Sequence, residues 1–524
     1  MQRETFRPNG VALDIAPSEV RPEFWTGATN AVPRNNQMVT PGGAVQRFID
    51  PNTRVNWLIN TVGASSWWVY VSSTGIVQTD GASAGAIINP AGFSTTGSTD
   101  WSPDDVCMAN INGYPVILVA DNTPCHWRQT GSCTNATSDS GSSSWTLGSC
   151  RALWVFKNHV FLGDVGGEAN AVHWSDAITP AVSAGSTGFD FYPRTTNQAG
   201  DADLGESTRI VNGLPLGRSC MIYGLSNTYV CDFVGGNSVF SFRLFSGESG
   251  MVARHGVTDI GNAHVVLTQD DIVVNDGKSI QSIADSYTRA YFYDNYDPDR
   301  IKWAWVVHNR RDSEVWVGLP GSVGVREALV YDLVTRKWGS RQVGNAGNDE
   351  SALTSVAYGV SQDSNADTIW SDFSSTDWDT VDGSWDSLTF SASEEALIGG
   401  EQIALANDGR LVQLNIGTTD SDGDTITTTL QRWGLDFGIP DSVKTVTGVY
   451  LNGRFNNDTT EVRMRGRFTE NGNPPWKPWV GQDVTANQKY SFTVSGRLID
   501  IEIRTASAAS VAGMTMEVAS VSPY

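Results

Sequence analysis

Basic residues are in short supply. Lys and Arg number 35 against 57 Asp and Glu, a formal net charge of -22 with histidine neutral. A general nucleic-acid binder needs cationic side chains to displace counterions from phosphates, so this composition excludes that class. It leaves room for a polyanion that passes nearby without sticking. Histidine and cysteine are equally sparse. The six histidines (His126, His159, His173, His255, His264, His308) contain no His-x-x-x-His pair. The six cysteines (Cys107, Cys125, Cys133, Cys150, Cys220, Cys231) contain no Cys-x-x-Cys, so no metal site is expected. Burial as free thiols is the plain reading of the cysteines, with a bridge among Cys125, Cys133 and Cys150 left open. No run approaches the roughly 18 apolar residues of a membrane-spanning helix. The opening "MQRETFRPNG" has no apolar core of a secretory signal, which reads as a protein made in a cytosol.

Long helical periodicity is missing as well. In its place stand short runs of Val, Ile, Thr and aromatics, broken by Gly, Asn, Asp and Ser. With 40% apolar residues, 19 Trp, 19 Phe and 14 Tyr in 524 residues, the chain is a folded all-β protein large enough for more than one domain. The bursts repeat as strand, tight turn, strand: "VNWLINTVGASSWWVYVSS" from Val55, "YPVILVADNTPCHW" from Tyr114, "NHVFLGDV" from Asn158 and "SCMIYGLSNTYVCDF" from Ser219. They continue with "NAHVVLTQDDIVVNDGKSI" from Asn262, "SEVWVGLPG" from Ser313 and "QIALANDGRLVQL" from Gln402. Steps from Val116 to Val160, Met221, Val265 and Val315 are 44, 61, 44 and 50 residues. Blades of a β-propeller occupy roughly 40–50 residues each, so the spacing predicts a propeller with one insertion rather than an irregular sandwich. Residues 51–424 are assigned to it, with excursions near 124–150 and 366–395, and residues 1–50 to an extended arm with the first strands.

From about Thr425 the strands alternate more cleanly, and ten Lys/Arg stand against nine Asp/Glu, so the first 424 residues carry 25 against 48. This predicts a nearly neutral antiparallel β-sandwich over 425–524, with hairpin signals at Asn452-Gly453 and Asn471-Gly472.

Chemistry is hard to find. "SGESG" (Ser246–Gly250) lacks the spacing of a nucleophile elbow. "TSDSGSSSW" (Thr137–Trp145) misses the Asp-box spacing of sialidase-type propellers by one residue. "DSDGDT" (Asp420–Thr425) lacks the Gly after the third Asp and the distal Glu of an EF-hand, so a solvated turn is favoured over weak calcium binding. No catalytic residue and no cofactor is expected. Two features point to docking instead. Arg463, Arg465 and Arg467 share one strand face and would suit an acidic partner, although a wet strand face explains them equally. Trp378 and Trp385, in "DWDTVDGSWDS", would suit a protein interface or a sugar ring.

The order of features resembles the tail hub or nozzle proteins of short-tailed bacteriophages. The likeness runs through Phe24–Gly43, Val172–Pro193, Ala199–Phe233, Phe240–Gly277, Ala328–Val343 and Ser495–Thr505. It is one of order and style, and Pro124–Cys150 does not share it. The resemblance implies a β-propeller virion protein, not an enzyme, made in the host cytoplasm and built into the virion tail. It implies a homohexameric ring below the portal and its adaptor ring, contacts with tail fibre, spike or needle proteins, and genomic DNA passing through the lumen without sequence-specific binding. The acidic propeller fits a channel wall that repels phosphates. The alternatives are a propeller that binds or hydrolyses cell-surface glycan, and a monomeric scaffold.

Overall fold

The computed structural model is almost wholly antiparallel strand. It describes residues 2–8, 10–13, 16–50, 55–63, 65–98, 101–136, 149–178, 190–205, 208–236, 238–284, 288–322, 324–344, 351–361, 401–455, 459–482, 489–506 and 508–521.

Seven four-stranded units follow one another along the chain. The first comprises Asn56–Val62, Ser66–Ser72, Gly75–Thr79 and Ala86–Ile87; the second Val106–Ile111, Tyr114–Val119, Cys125–His126 and Thr134–Asn135. The third comprises Ala152–Phe156, His159–Val165, Glu168–Trp174 and Gly200–Asp203; the fourth Ile210–Leu216, Ser219–Gly224, Thr228–Phe233 and Phe240–Ser246. The fifth comprises Val257–Asp259, His264–Leu267, Ile272–Asn275 and Ile280–Ser282; the sixth Val306–Asn309, Glu314–Pro320, Val325–Asp332 and Lys337–Gln342. The seventh takes Leu353–Gly359, Glu401–Ala406 and Arg410–Leu414, and its fourth strand is Ala44–Ile49 from near the other end of the chain. A single residue pair, Val325 with Leu353, joins the sixth unit to the seventh.

The units close into a ring. Each consecutive pair shares its own apolar core: Val69 and Val71 with Ile117, Val116 and Leu118 with Leu162, Phe161 with Ile222, Met221 with Val266. Val265 then packs with Val317 and Trp316 with Val412, and the circle completes where Ile403 and Leu405 of the seventh unit meet Trp68 and Tyr70 of the first. Side chains alternate by strand period, so Val116 faces one neighbour and Ile117 the other. With both faces covered, His159–Val165 and Glu314–Pro320 are buried at every position. This is a seven-bladed β-propeller. Val116, Val160, Met221, Val265 and Val315 all lie on second strands, which is why their spacing carried the repeat. Tight turns fix the register: Asn112 and Gly113 both take positive φ (49° and 81°), the backbone that a two-residue hairpin needs.

The terminal sandwich has two sheets around Leu430, Val446, Met464, Tyr490, Ile501 and Met516. Its alternation is clear in Tyr490–Gly496, where every second residue is buried. The assignment of residues 1–50 to a separate arm needs correction. Gln2–Phe6 pairs along Ser510–Val521, Gly27–Thr29 along Thr428–Leu435, and the hairpin of Val32–Arg34 and Gln37–Val39 joins the edge of Ser510–Val521. These strands complete the sandwich, and the next one closes the propeller. Their partners lie hundreds of residues away, beyond what local pattern reveals. Part of the 124–150 excursion is blade, since it supplies Cys125–His126 and Thr134–Asn135. Asn452-Gly453 is a bulge inside strand Val443–Arg454 instead of a turn; a Cβ on Gly453 would stand 2.0 Å from the Ser510 carbonyl oxygen. The excursion near 366–395, like Thr137–Trp145, lies outside the described residues.

Candidate functional site

Side chains reach from one part of the ring to another across its middle. His255, leading into the fifth blade, stacks on Trp57 of the first at 3.2 Å between ring centres. Its Nε2 lies 2.9 Å from the carbonyl of Pro103 and 3.0 Å from that of Val106, at the threshold of the second blade. Arg254 reaches Asp104 at 3.5 Å, and Asn212 of the fourth blade donates to the Arg254 carbonyl at 2.9 Å. Residues leading into the fifth blade thus meet the first and second blades across the ring.

Burial shapes the titration of this cluster. Desolvation, helped by the Arg254 charge, pushes the His255 imidazole down to about 3. Burial likewise depresses His126 (to about 4), His159, His173, His264 and His308, so every histidine of the chain is held toward its neutral form. A base whose folded pKa is lowered leaves the unfolded chain with more protons, and stability falls as pH drops below its ordinary value near 6.5. For His255 the loss is about 1.4 kcal/mol per pH unit down to about 3. The denaturation midpoint of the wild type is expected to fall faster between pH 6.5 and 4.5 than that of His255→Gln. Equal slopes in urea melts at the two pH values would refute this.

Sheet edges form the second feature. Outermost strands are short in the first, second and fifth blades and acidic in the third, where "GDAD" occupies Gly200–Asp203. The sixth is covered by the arm, with Ala31 bridging Ser340. The fourth and seventh differ. Phe240–Ser246 is seven residues long, contains no carboxylate, and stands beside exposed Phe233 (45%), Val234 (61%) and Leu244 (42%). Ala44–Ile49 likewise lacks carboxylates and exposes Val45 (42%) and Ile49 (53%). Neither strand has an outer partner strand among the described residues. Long, bare, apolar edges are pairing sites that monomeric proteins suppress.

The arginine row belongs to the sandwich's own architecture. Arg463 pairs with Glu502 (2.5 Å), and Arg465 and Arg467 both reach the fully buried Asp500 (2.7 and 2.8 Å). Arg504 pairs with Glu461 at 2.5 Å. Indoles interleave with the guanidiniums. Trp433 and Trp476 flank Arg465, Trp476 and Trp479 flank Arg463, and Trp479 faces Arg504 at 4.1 Å. The row therefore presents neutralised, stacked charge and no free cationic strip. Its missing half was visible in "NPPWKPWV" (Asn473–Val480), whose two Trp three residues apart signal a strap over a strand face. Trp378 and Trp385 lie outside the described residues.

The remaining motifs resolve as structure. Asp420 caps its own turn, accepting from the amides of Asp422 (3.0 Å) and Asp424 (2.9 Å), while Asp422 pairs with Arg410. Among the described residues no group of three or more His, Cys, Asp or Glu converges on a metal position. All six cysteines are buried free thiols, and burial raises the pKa of Cys107, Cys150, Cys220 and Cys231. No helix among the described residues is long and apolar enough to cross a membrane.

Fold and surfaces thus define an all-β protein, a propeller joined to a sandwich. No family model and no curated protein matches the chain. Among solved structures it is similar to the extracellular domain of a one component system from B. thetaiotaomicron, at 8% identity and a TM-score of 0.40, covering 71% of this chain and 40% of that one. It is also similar to the computationally designed protein Ika8, at 12% identity and 0.36, covering 79% of this chain and 100% of that one. A third is PorZ, a surface component of the type-IX secretion system of Porphyromonas gingivalis, at 10% identity and 0.30, covering 60% and 35%. The chain spans less than half the length of the first of these. At such identities and scores nothing is carried over from them.

Proposed function

We propose that the chain is a structural subunit of the tail of a short-tailed bacteriophage. Copies form a ring, expected to be sixfold, below the portal and adaptor. The genome leaves through the space they enclose, and fibre, spike or needle proteins attach to the outside. The observation that carries the reading is the pair of long carboxylate-free edges, Phe240–Ser246 and Ala44–Ile49, on a chain of net charge -22. Copies this acidic repel one another, and the edges offer apolar contact without like-charge opposition. The edges sit on different blades, so pairing one with the other on the next copy makes a head-to-tail contact, the kind that closes rings. The lumen of such a ring lies between copies, and an acidic wall would not retain phosphates.

Electron microscopy of the purified protein, alone and with a portal–adaptor complex, tests this reading. Rings wide enough for duplex DNA, seated on the adaptor, are expected. A monomer that stays monomeric at tens of micromolar and ignores the adaptor would overturn it, and one that bound or cleaved polysaccharide would favour the glycan reading.

A further inference from the structure

Where the strands of the first and seventh blades begin, a cavity of 230 Å³ opens beside Trp101 and Pro103. Asn56, Ser102, Arg300, Trp303, Ser322 and Asn407 line it. Arg300 belongs to the 3-10 turn Pro298–Trp303, which sets its guanidinium 3.9 Å over the Trp303 ring. Stacking of this kind restrains the side chain and leaves its N–H fork free to donate.

The environment is unusual for so acidic a chain. No carboxylate is among the described residues that line the cavity. Of the acids beside the lining residues, Asp104 pairs with Arg254 at 3.5 Å, Asp408 with Arg410 at 2.6 Å, and Asp297 accepts from the Asp299 amide at 3.0 Å; Asp105 accepts from the Ser102 amide and hydroxyl at 2.8 Å at the cavity's edge, and Asp299, next to Arg300, is exposed. Half-buried Arg34, Arg47 and Arg463 each face a carboxylate within 3.0 Å, whereas Arg300 has no ion pair among the described residues. Asn407 and Ser322 add side-chain donors that make no hydrogen bond there. Asn56 and Ser102 donate to Trp101 and Asp105, which leaves Arg300, Asn407 and Ser322 as the donors toward the cavity, one of them a fixed positive charge.

We infer that this cavity binds a small free phosphate, inorganic phosphate or a phosphomonoester, with Arg300 as the charged anchor and Asn407 and Ser322 as further donors. The space equals roughly eight water molecules at about 30 Å³ each, enough for a tetrahedral oxyanion with part of its hydration but too little for a polynucleotide segment. The inference is independent of the tail reading, since it needs neither a ring nor DNA.

Calorimetric titration of inorganic phosphate into the full chain at pH 7.5 tests it, with phosphorus NMR line width as a second readout. Saturable one-to-one binding is expected, weakened at least tenfold in Arg300→Ala and less in Arg300→Lys. Arg336→Ala, at an exposed arginine on another blade, should bind as the wild type does. Asn407→Leu removes a second lining donor while leaving the arginine in place, and should weaken binding several-fold even if Arg300→Ala fails to fold. Absence of saturable binding by the wild type, or wild-type affinity in folded Arg300→Ala or Asn407→Leu, would overturn the site.

Discussion

Leu244→Asp combined with Val234→Asp should leave the protein folded and monomeric. Both side chains are already exposed, so the aspartates lose little on folding, but across a contact they would place unpaired carboxylates against apolar surface. Burying even one such charge costs several kcal/mol, and a loss of association of at least 100-fold is expected. Val45→Asp with Ile49→Asp should do the same from the other edge. The decisive sample is the mixture. Each variant keeps one intact edge, so if Phe240–Ser246 of one copy meets Ala44–Ile49 of the next, the two mutants together should form dimers and stop there. Light scattering reads this directly. Rings from either variant alone, or no dimer in the mixture, would exclude that pairing.

Asp500→Ala is expected to cost the sandwich about 3–5 kcal/mol, the usual penalty for stripping a buried charge of its partner. Its carboxylate is fully buried and accepts from Arg465 Nε at 2.7 Å, Arg467 Nη2 at 2.9 Å and the Gly434 amide at 2.8 Å. Without it two nearly buried guanidiniums face no charge. Asp500→Asn keeps an acceptor for Gly434 and should lose less. Arg504→Ala is the contrast: its pair with Glu461 is 42% and 36% exposed at the side chains, and such pairs contribute less than about 1 kcal/mol. Urea melts followed by tryptophan fluorescence would rank the three, and Asp500→Ala within 1 kcal/mol of the wild type would show that the indoles carry the stack.

What was legible in the sequence tracks how local the cause is. Valines on second strands recur because every blade buries both faces, so the propeller could be read from their spacing. The six main strands of the sandwich were equally plain from alternation. The arm was misread because Gln2–Phe6 and Ala44–Ile49 find their partners near residues 514–518 and 410–414. Asn452-Gly453 looked like a turn because the dipeptide serves turns and bulges alike. The arginine row was seen, but its carboxylates came from the neighbouring strand Leu498–Thr505 and its indoles from a strap without periodicity. Arg300 offered no signal at all; its distinction is its place over Trp303 in a cavity lined by no carboxylate among the described residues, which only three dimensions can show.

The seventh blade has one further implication. Its last strand leaves the ribosome some 360 residues before the strand it zips onto. Until then the nascent ring stays open like an unlatched bracelet, with the first and seventh blades apart and Trp68 and Tyr70 uncovered. Translation itself therefore schedules closure, and surfaces that depend on a finished ring cannot mature on an incomplete chain.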